Sequence, residues 1–246
     1  MQDIKYILSI ETLLKANSSV DLWERCFQQL DRERLERAKR SEVLRKKAES
    51  VGAGLLIQLA VRVAMGRQRY GANGNSALDE GISKFEKLSL SEVLARLERM
   101  EGSPLSLEYT YGENGKPYFK NIPLYFNLSH SGEYVCCVLS EQEIGVDIQG
   151  RETAVKEGLA QRFFSKEEVQ CMEQCDSEQL RQDLFYRLWT RKEAYGKLTG
   201  KGLGAVIGEN VSVVPSKGEI YAPHLHMLFE EYEIDNYQIA VCKWKH

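Results

Sequence analysis

Ile144-Gly-Val-Asp-Ile-Gln149 and, further along, Leu188-Trp-Thr-Arg-Lys-Glu-Ala-Tyr-Gly-Lys197 decide how this chain is read. The first is a short apolar run that reads as a strand, yet it carries Asp147. A carboxylate in an apolar strand is costly to bury unless something cationic meets it. The second segment is helical in pattern. Trp189, Glu193 and Lys197 recur at i, i+4 and i+8, so all three share nearly one face. The two segments together offer two carboxylates and an ammonium. That set suits a hard divalent ion holding a polyphosphate: Mg²⁺ takes one or two protein carboxylates plus waters and phosphate oxygens, and a lysine neutralises phosphate charge the metal does not reach. Gln149, two residues beyond Asp147, points to the same side of the strand. Plainer readings stand beside this one. Asp147 can cap a turn or pair with Arg151, and Glu193 with Lys197 can be an exposed ion pair worth about 0.3–0.5 kcal/mol. Trp189 on the same face argues against full exposure.

Outward from these segments the chain divides into two halves with the same order of elements, residues 1–141 and 142–246. The first opens with an alternating strand near residues 4–10 and a helix from Val20 with Leu22, Cys26, Phe27 and Leu30 on one stripe. Residues 31–47 carry eight Lys or Arg against Asp31, Glu33, Glu36 and Glu42, which reads as a solvated helix face or an anion-binding edge. An apolar helix through Val51, Leu55, Leu59 and Val63 follows, then a loop at 71–76 and an amphipathic helix over 88–100 starting near Ser91. Strands are expected at 105–111, 117–119, 124–129 and 134–140, the first two joined by the turn Gly112-Glu-Asn-Gly-Lys116. The second half runs strand 144–149, a helical stretch at 153–162, a helix capped by Ser165 and Glu168, a long helix over 178–198 stopped by Gly200, and strands at 210–214, 225–232 and 237–243. The expected fold is α+β and pseudo-duplicated, each half a small antiparallel sheet with packed helices.

With 246 residues, 43% hydrophobic and 28% charged, the chain is long enough to bury a core without disulfides or structural metal. A formal charge of −3 gives no whole-chain reason to expect nucleic acid as a partner. The apolar stretch 51–65 carries Gln58 and Arg62 and is shorter than the roughly 20 residues of a membrane span, so no membrane is expected. The N-terminus lacks the layout of a signal peptide, and the six cysteines lack paired spacings, so they read as reduced thiols of a cytoplasmic protein. Cys171 with Cys175 and His224 with His226 are two pairs that nothing in the sequence brings together as a metal site.

Five segments in order, GENGKPYF, FNLSHSGEYVCCVLS, IGVDIQ, RFFSKEE and LWTRKEAYGKLTGKGL, span residues 112–203. Together they resemble the 4′-phosphopantetheinyl transferases, specifically the large pseudo-dimeric, surfactin-synthetase-activating type. The resemblance implies transfer of the phosphopantetheine arm of coenzyme A to a serine of an acyl, peptidyl or polyketide carrier protein, leaving adenosine 3′,5′-bisphosphate. It implies that Asp147, Gln149 and Glu193 hold Mg²⁺ and that Lys197 contacts the phosphates. His130 would meet the 3′-phosphate, Lys116 the nucleotide end, and Ser129 would line the same site. Glu193 would take the serine proton, with Glu168 in reserve, and Lys192 would join the coenzyme A contacts or pair with Glu168.

Two positions depart from the family pattern. Gln149 stands where a second acidic ligand is frequent, and Glu49 stands near the place of an arginine that holds coenzyme A phosphate. Arg45, Lys46 or Lys47 can substitute for it, with Lys47 counted among the cofactor contacts. Arg162, Phe163 and Phe164 are the expected carrier-docking residues, against the plainer reading of the two rings as core. The second half can supply what a smaller relative borrows from a neighbouring subunit, so a monomer is expected. Competing readings are another Mg²⁺-dependent phosphoryl or nucleotidyl transferase, or a non-catalytic coenzyme A or carrier-binding module in which Gln149 marks a weakened metal site.

Overall fold

The computed structural model describes residues 1–16, 19–70, 84–100, 102–151, 158–202, 204, 206, 212–214, 221–222 and 226–245, without the side chains of 68–70 and 221–222. The fold is α+β, and the chain divides into two units: Met1–Thr110 with Pro117–Glu141, and Tyr111–Lys116 with Gln142–His246.

The first unit is built on β1 (Ile4–Ser9), whose residues are buried from Ile4 to Leu8. Short helices α1 (Glu11–Lys15), α2 (Val20–Phe27) and α3 (Arg32–Arg40) lead to the long α4 (Leu44–Tyr70). Then come β2 (Glu86–Leu88), α5 (Leu90–Arg99), the ribbon β3 (Tyr109–Tyr111) and β4 (Pro117–Phe119), and the hairpin β5 (Tyr125–Ser131) and β6 (Tyr134–Ser140). The sheet order is β2-β1-β6-β5, with β2 parallel to β1 and the other pairs antiparallel. Gly132, at φ 54°, supplies the left-handed step of the β5–β6 turn. The core face of α4 buries Ala48, Val51, Leu55, Leu56 and Leu59. Close approach to the sheet is possible because a Cβ on Gly52 would already stand 3.1 Å from Ile10 and 3.5 Å from Leu8.

Several sequence expectations are corrected in this unit. The apolar helix is longer than its apolar run. Its Arg and Lys at both ends continue the backbone ladder, giving 27 residues in place of 15. By length and composition it is long and apolar enough to cross a membrane, and 78% of its apolar window is buried inside the protein. The expected helix over 88–100 begins at Leu90, because Ser89 and Glu92 form a capping box and Leu88 ends the short strand β2, which sequence reading missed. Of the strand expected at 105–111 only Tyr109–Tyr111 forms. Ahead of it, the Leu105 amide and carbonyl are both taken by the buried Gln58 side chain at 3.0 and 2.9 Å, and Asn121 binds Glu108 N and Ser106 O, so these groups are not available to a ladder. The loop expected at 71–76 lies outside the described residues.

The second unit contains β7 (Ile144–Gly150), α6 (Leu159–Phe163), α7 (Lys166–Glu173), α8 (Glu178–Thr199), β8 (Tyr221–Ala222), β9 (Met227–Ile234) and β10 (Tyr237–Trp244). Its sheet runs β7-β10-β9-β8, all antiparallel. Ser165 and Glu168 form the expected capping box on α7, Ser177 caps α8, and Gly200 ends it in the left-handed region at φ 68°. The residues expected as a helix at 153–157 lie outside the described set, as do 210 and 211 of the expected strand 210–214. Residues 212–214 are not a strand: Val213 N donates to Glu168 Oε1 and its carbonyl accepts from Arg191, leaving nothing for a ladder. Each unit therefore repeats one topology. A first strand is followed by a long helix and then a hairpin whose last strand returns beside the first, β1-α4-β5-β6 in one and β7-α8-β9-β10 in the other.

The second unit is locked by Glu231 of β9, which accepts from Arg187 at 2.8 Å and from the fully buried Arg191 at 2.6 Å. Burial pushes the Glu231 carboxyl up, but the hydrogen bonds and charges of the two arginines outweigh it and hold the group below the usual carboxylate range. A carboxyl with a depressed folded pKa stabilises fully above its unfolded pKa and loses that contribution as pH falls through the folded one. Glu231→Gln is therefore expected to flatten the acid side of a stability-versus-pH curve below about pH 4.5. Urea titrations at a series of pH values measure this, and an acid limb unchanged by the substitution would refute it.

Candidate active site

Gly145 fixes how the strand and helix motifs meet. A Cβ there would stand 2.0 Å from the Ala194 carbonyl oxygen and 2.6 Å from Leu198 N, so the backbone of α8 lies directly on β7. Side chains leaving the same strand face two residues later are thereby brought to the helix face that carries Glu193 and Lys197. Asp147 is 6% exposed, and Lys197 Nζ donates to its Oδ1 at 2.8 Å. Burial and then the Asp147 charge push the Glu193 carboxyl up, while Lys197 pulls it back. The three residues read from the sequence as one constellation are thus gathered within the second unit. Gln149 follows on the same strand, half-buried and paired in register with Gln238 of β10. Arg151 does not hold Asp147. It bonds Gln238 at 2.6 Å and pairs with Glu233 and Asp183.

Lys192 is turned away from this face, one residue and about 100° round the helix from Glu193. Its ammonium is 1% exposed, 2.9 Å from Glu168 Oε2 and 3.2 Å from the Val206 carbonyl, which corrects its reading as a coenzyme A contact and realises the pairing with Glu168. Glu168 is fully buried and also accepts from Ser165 N at 2.7 Å and Val213 N at 2.9 Å. Both its oxygens are engaged away from solvent, so it does not serve as the reserve base. Trp189 stacks on Phe185 with ring centroids 5.8 Å apart and meets Phe163 edge-on at 5.3 Å. Phe164 is core against Phe185, whereas Phe163 is half-buried beneath the exposed Arg162 guanidinium, so the two rings split between core and surface.

The first unit holds a cavity of about 520 Å³ lined by Arg34, Arg37, Lys46, Glu49, Ser129 and His130 among others. Arg34 and Arg37 are one turn apart on α3 and both line the cavity, Arg34 buried and Arg37, like Arg32, Lys39 and Arg40, exposed. The i,i+3 spacing of these two arginines was the available signal for a role that sequence reading left unassigned. Glu49 Oε2 lies 3.7 Å from His130 Nδ1. Three consecutive basic residues on α4 point three ways: Arg45 bonds the Gly132 carbonyl, Lys46 lines the cavity, and Lys47 stands over the Trp23 ring at 4.8 Å. Of the three, Lys46 and not the expected Lys47 lines the cavity. Lys116, expected with the first half, belongs to the second unit, and its ammonium donates to the Leu198 carbonyl at 2.6 Å. Burial lowers its pKa, with Glu143 acting in the opposite sense.

Among the described residues no cluster of three or more His, Cys, Asp or Glu gathers as a metal site. Cys175 Sγ donates to the Cys171 carbonyl at 3.5 Å, and His224 lies outside the described set. All six cysteines are free thiols.

The family description "4′-phosphopantetheinyl transferase superfamily" matches residues 143–242. A Synechocystis sp. protein, slr0495, is 37% identical over 175 residues, covering 63% of this chain and 69% of that protein. The 4′-phosphopantetheinyl transferase Sfp of Bacillus subtilis is 33% identical over 156 residues, 61% of this chain and 68% of its own length. The 4′-phosphopantetheinyl transferase AcpT of Escherichia coli K12 is 34% identical over 143 residues, 57% and 67% of the two chains.

Proposed function

The chain belongs to the 4′-phosphopantetheinyl transferase superfamily, and from that premise we propose that Asp147, Glu193 and Lys197 are where it works. The enzyme moves the 4′-phosphopantetheine arm of coenzyme A to a serine of an apo carrier protein. The observation that carries the site assignment is the meeting of two carboxylates and an ammonium on a strand and helix pressed together at Gly145.

The donor set fits Mg²⁺. Asp147 and Glu193 are close enough for one charge to raise the other's pKa, and Lys197 already rests on Asp147 Oδ1 where a cation is wanted. Gln149 would add a neutral oxygen from the same strand face. When bound, such an ion would neutralise charge on the diphosphate and on the departing bisphosphate. The chain's own residues do the rest. Glu193, its affinity for a proton raised by burial, takes the hydroxyl proton of the carrier serine. The serine oxygen bonds the phosphorus nearer the pantetheine, the bond from that phosphorus to the bridging oxygen breaks, and adenosine 3′,5′-bisphosphate leaves with the electron pair. Lys197 donates to phosphate oxygens, and positioning accounts for most of the acceleration. The cavity of the first unit, with Arg34, Arg37, Lys46, His130 and Ser129, has the cationic and hydroxyl lining that suits a phosphorylated nucleotide.

Intact-mass measurement of an apo carrier protein with coenzyme A and Mg²⁺ tests this reading. Addition of phosphopantetheine that stops with chelator and resumes with Mg²⁺ is expected. Transfer at full rate in chelator would remove the metal from the account.

Glu49 makes a second expectation specific to this chain. A carboxylate among the cavity cations opposes an incoming phosphate, so Glu49→Gln should tighten the hold on adenosine 3′,5′-bisphosphate by roughly threefold to tenfold at low salt. Calorimetry decides it, and equal affinities would place the anion elsewhere.

A further inference from the structure

Lys116, like Lys192, is engaged inside the protein and not at the coenzyme A contact that the resemblance implies for it. The turn that carries it is closed by Gly112 N to the Lys116 carbonyl and Gly115 N to the Gly112 carbonyl, both 2.9 Å, with Gly115 at φ 81°. This short, rigid turn delivers a side chain that is 7% exposed. Its ammonium meets the carbonyl of Leu198, in the last turn of α8, where helix carbonyls have no partner further along the helix. A cation at a helix C-terminus is also favoured by the helix dipole. The neighbouring carbonyls of Tyr195 and Gly196 are taken by Thr199 Oγ1, so Leu198 is held from outside the helix. On the strand side, the Leu198 amide nitrogen is where the missing Gly145 side chain would be. Leu198, the residue directly after Lys197, is therefore held on both sides, its amide packed against β7 at Gly145 and its carbonyl bonded by Lys116.

We infer that Lys116 is a positioning residue: its ammonium anchors the C-terminal turn of α8 so that Lys197, one residue earlier, is presented to Asp147. The inference rests on the assignment of Lys197 and Glu193 to the active site. It differs from a coenzyme A contact in what it moves. A lysine holding the nucleotide changes the affinity for coenzyme A, whereas one that holds the helix end changes the alignment of groups acting on the transferred phosphoryl.

The test uses Lys116→Met and Lys116→Arg in the full chain, with kcat and KM for coenzyme A read by carrier mass shift. In Lys116→Met, kcat should fall on the order of tenfold to a hundredfold with KM within about twofold. Lys116→Arg, which still donates to a carbonyl, should recover most of kcat. Should Lys116→Met not fold, Lys116→Gln keeps a shorter donor, and faster amide exchange at 196–200 than in the parent protein is the expected signature. Slower transfer through raised KM with kcat retained would overturn the inference in favour of nucleotide contact. Unchanged kcat, or unchanged exchange at 196–200, would overturn it as well. Glu193→Gln runs alongside: full activity there removes the site assignment itself, while loss there with an indifferent Lys116 removes only the anchoring role.

Discussion

Lys192→Met is expected to destabilise the protein by roughly 3–5 kcal/mol while leaving KM for coenzyme A unchanged in the fraction that folds. Lys192 and Glu168 are 1% and 0% exposed at the side chain and 2.9 Å apart. Burial lowers the Lys192 pKa, and the charge and hydrogen bond of Glu168 oppose that. The cost of the substitution comes from what remains: a carboxylate with no solvent and one fewer partner, still tied to Ser165 N and Val213 N. Glu168→Gln in the same chain should recover most of the loss, because a buried ion pair replaced whole is far cheaper to remove than one broken in half. Urea unfolding of the two single variants and the double variant closes a cycle in which the coupling is large. A stable Lys192→Met with a tenfold higher KM would instead return Lys192 to the substrate.

Adjacent residues of one motif thus do different work, which marks the limit of what the sequence carries. The strand at 144–149, the long helix and its glycine stop, the Ser165–Glu168 cap and the convergence of Asp147, Glu193 and Lys197 were legible, because strand alternation, helix spacing and capping chemistry are local rules. The α+β class and the repeated strand-helix-hairpin order were legible for the same reason.

What failed to show was long-range or directional. Nothing local announces that Gln58 will satisfy Leu105 from 47 residues away and suppress a strand. The run Arg45-Lys46-Lys47 states that cations are present, while the helix rotation, and not the composition, selects Lys46 for the cavity. Lys116 was legible as a lysine held by a rigid turn. Its target, a helix-end carbonyl 82 residues on, depends on tertiary packing. Gly145 belongs to the same class. Its meaning as a backbone contact between β7 and α8 appears only when both elements are in place.

Asp147→Asn is expected to lower transfer to a carrier protein by about a hundredfold or more while changing stability by roughly 1 kcal/mol. The substitution keeps shape and removes charge. Lys197, 29% exposed at the side chain, can then turn to water, so the ammonium is not left stranded. The loss in rate has two sources. One carboxylate fewer remains for a divalent ion, and Lys197 loses the bond that fixes its direction. The sign of the pH effect separates this from general damage. Burial and the Asp147 charge both raise the Glu193 pKa, so removing that charge must move it down, toward the ordinary carboxylate range. In the role proposed for it Glu193 takes a proton only when ionised, so with Mg²⁺ saturating in both proteins the acid limb of the residual rate should shift to lower pH in Asp147→Asn. A fold that merely loosened would weaken activity at every pH without moving that limb. Gln149→Ala, on the same strand face but without charge, should leave the limb where it is. Full transfer by Asp147→Asn, or an acid limb displaced upward, would detach the strand carboxylate from the chemistry and leave its ion pair with Lys197 as a brace between β7 and α8.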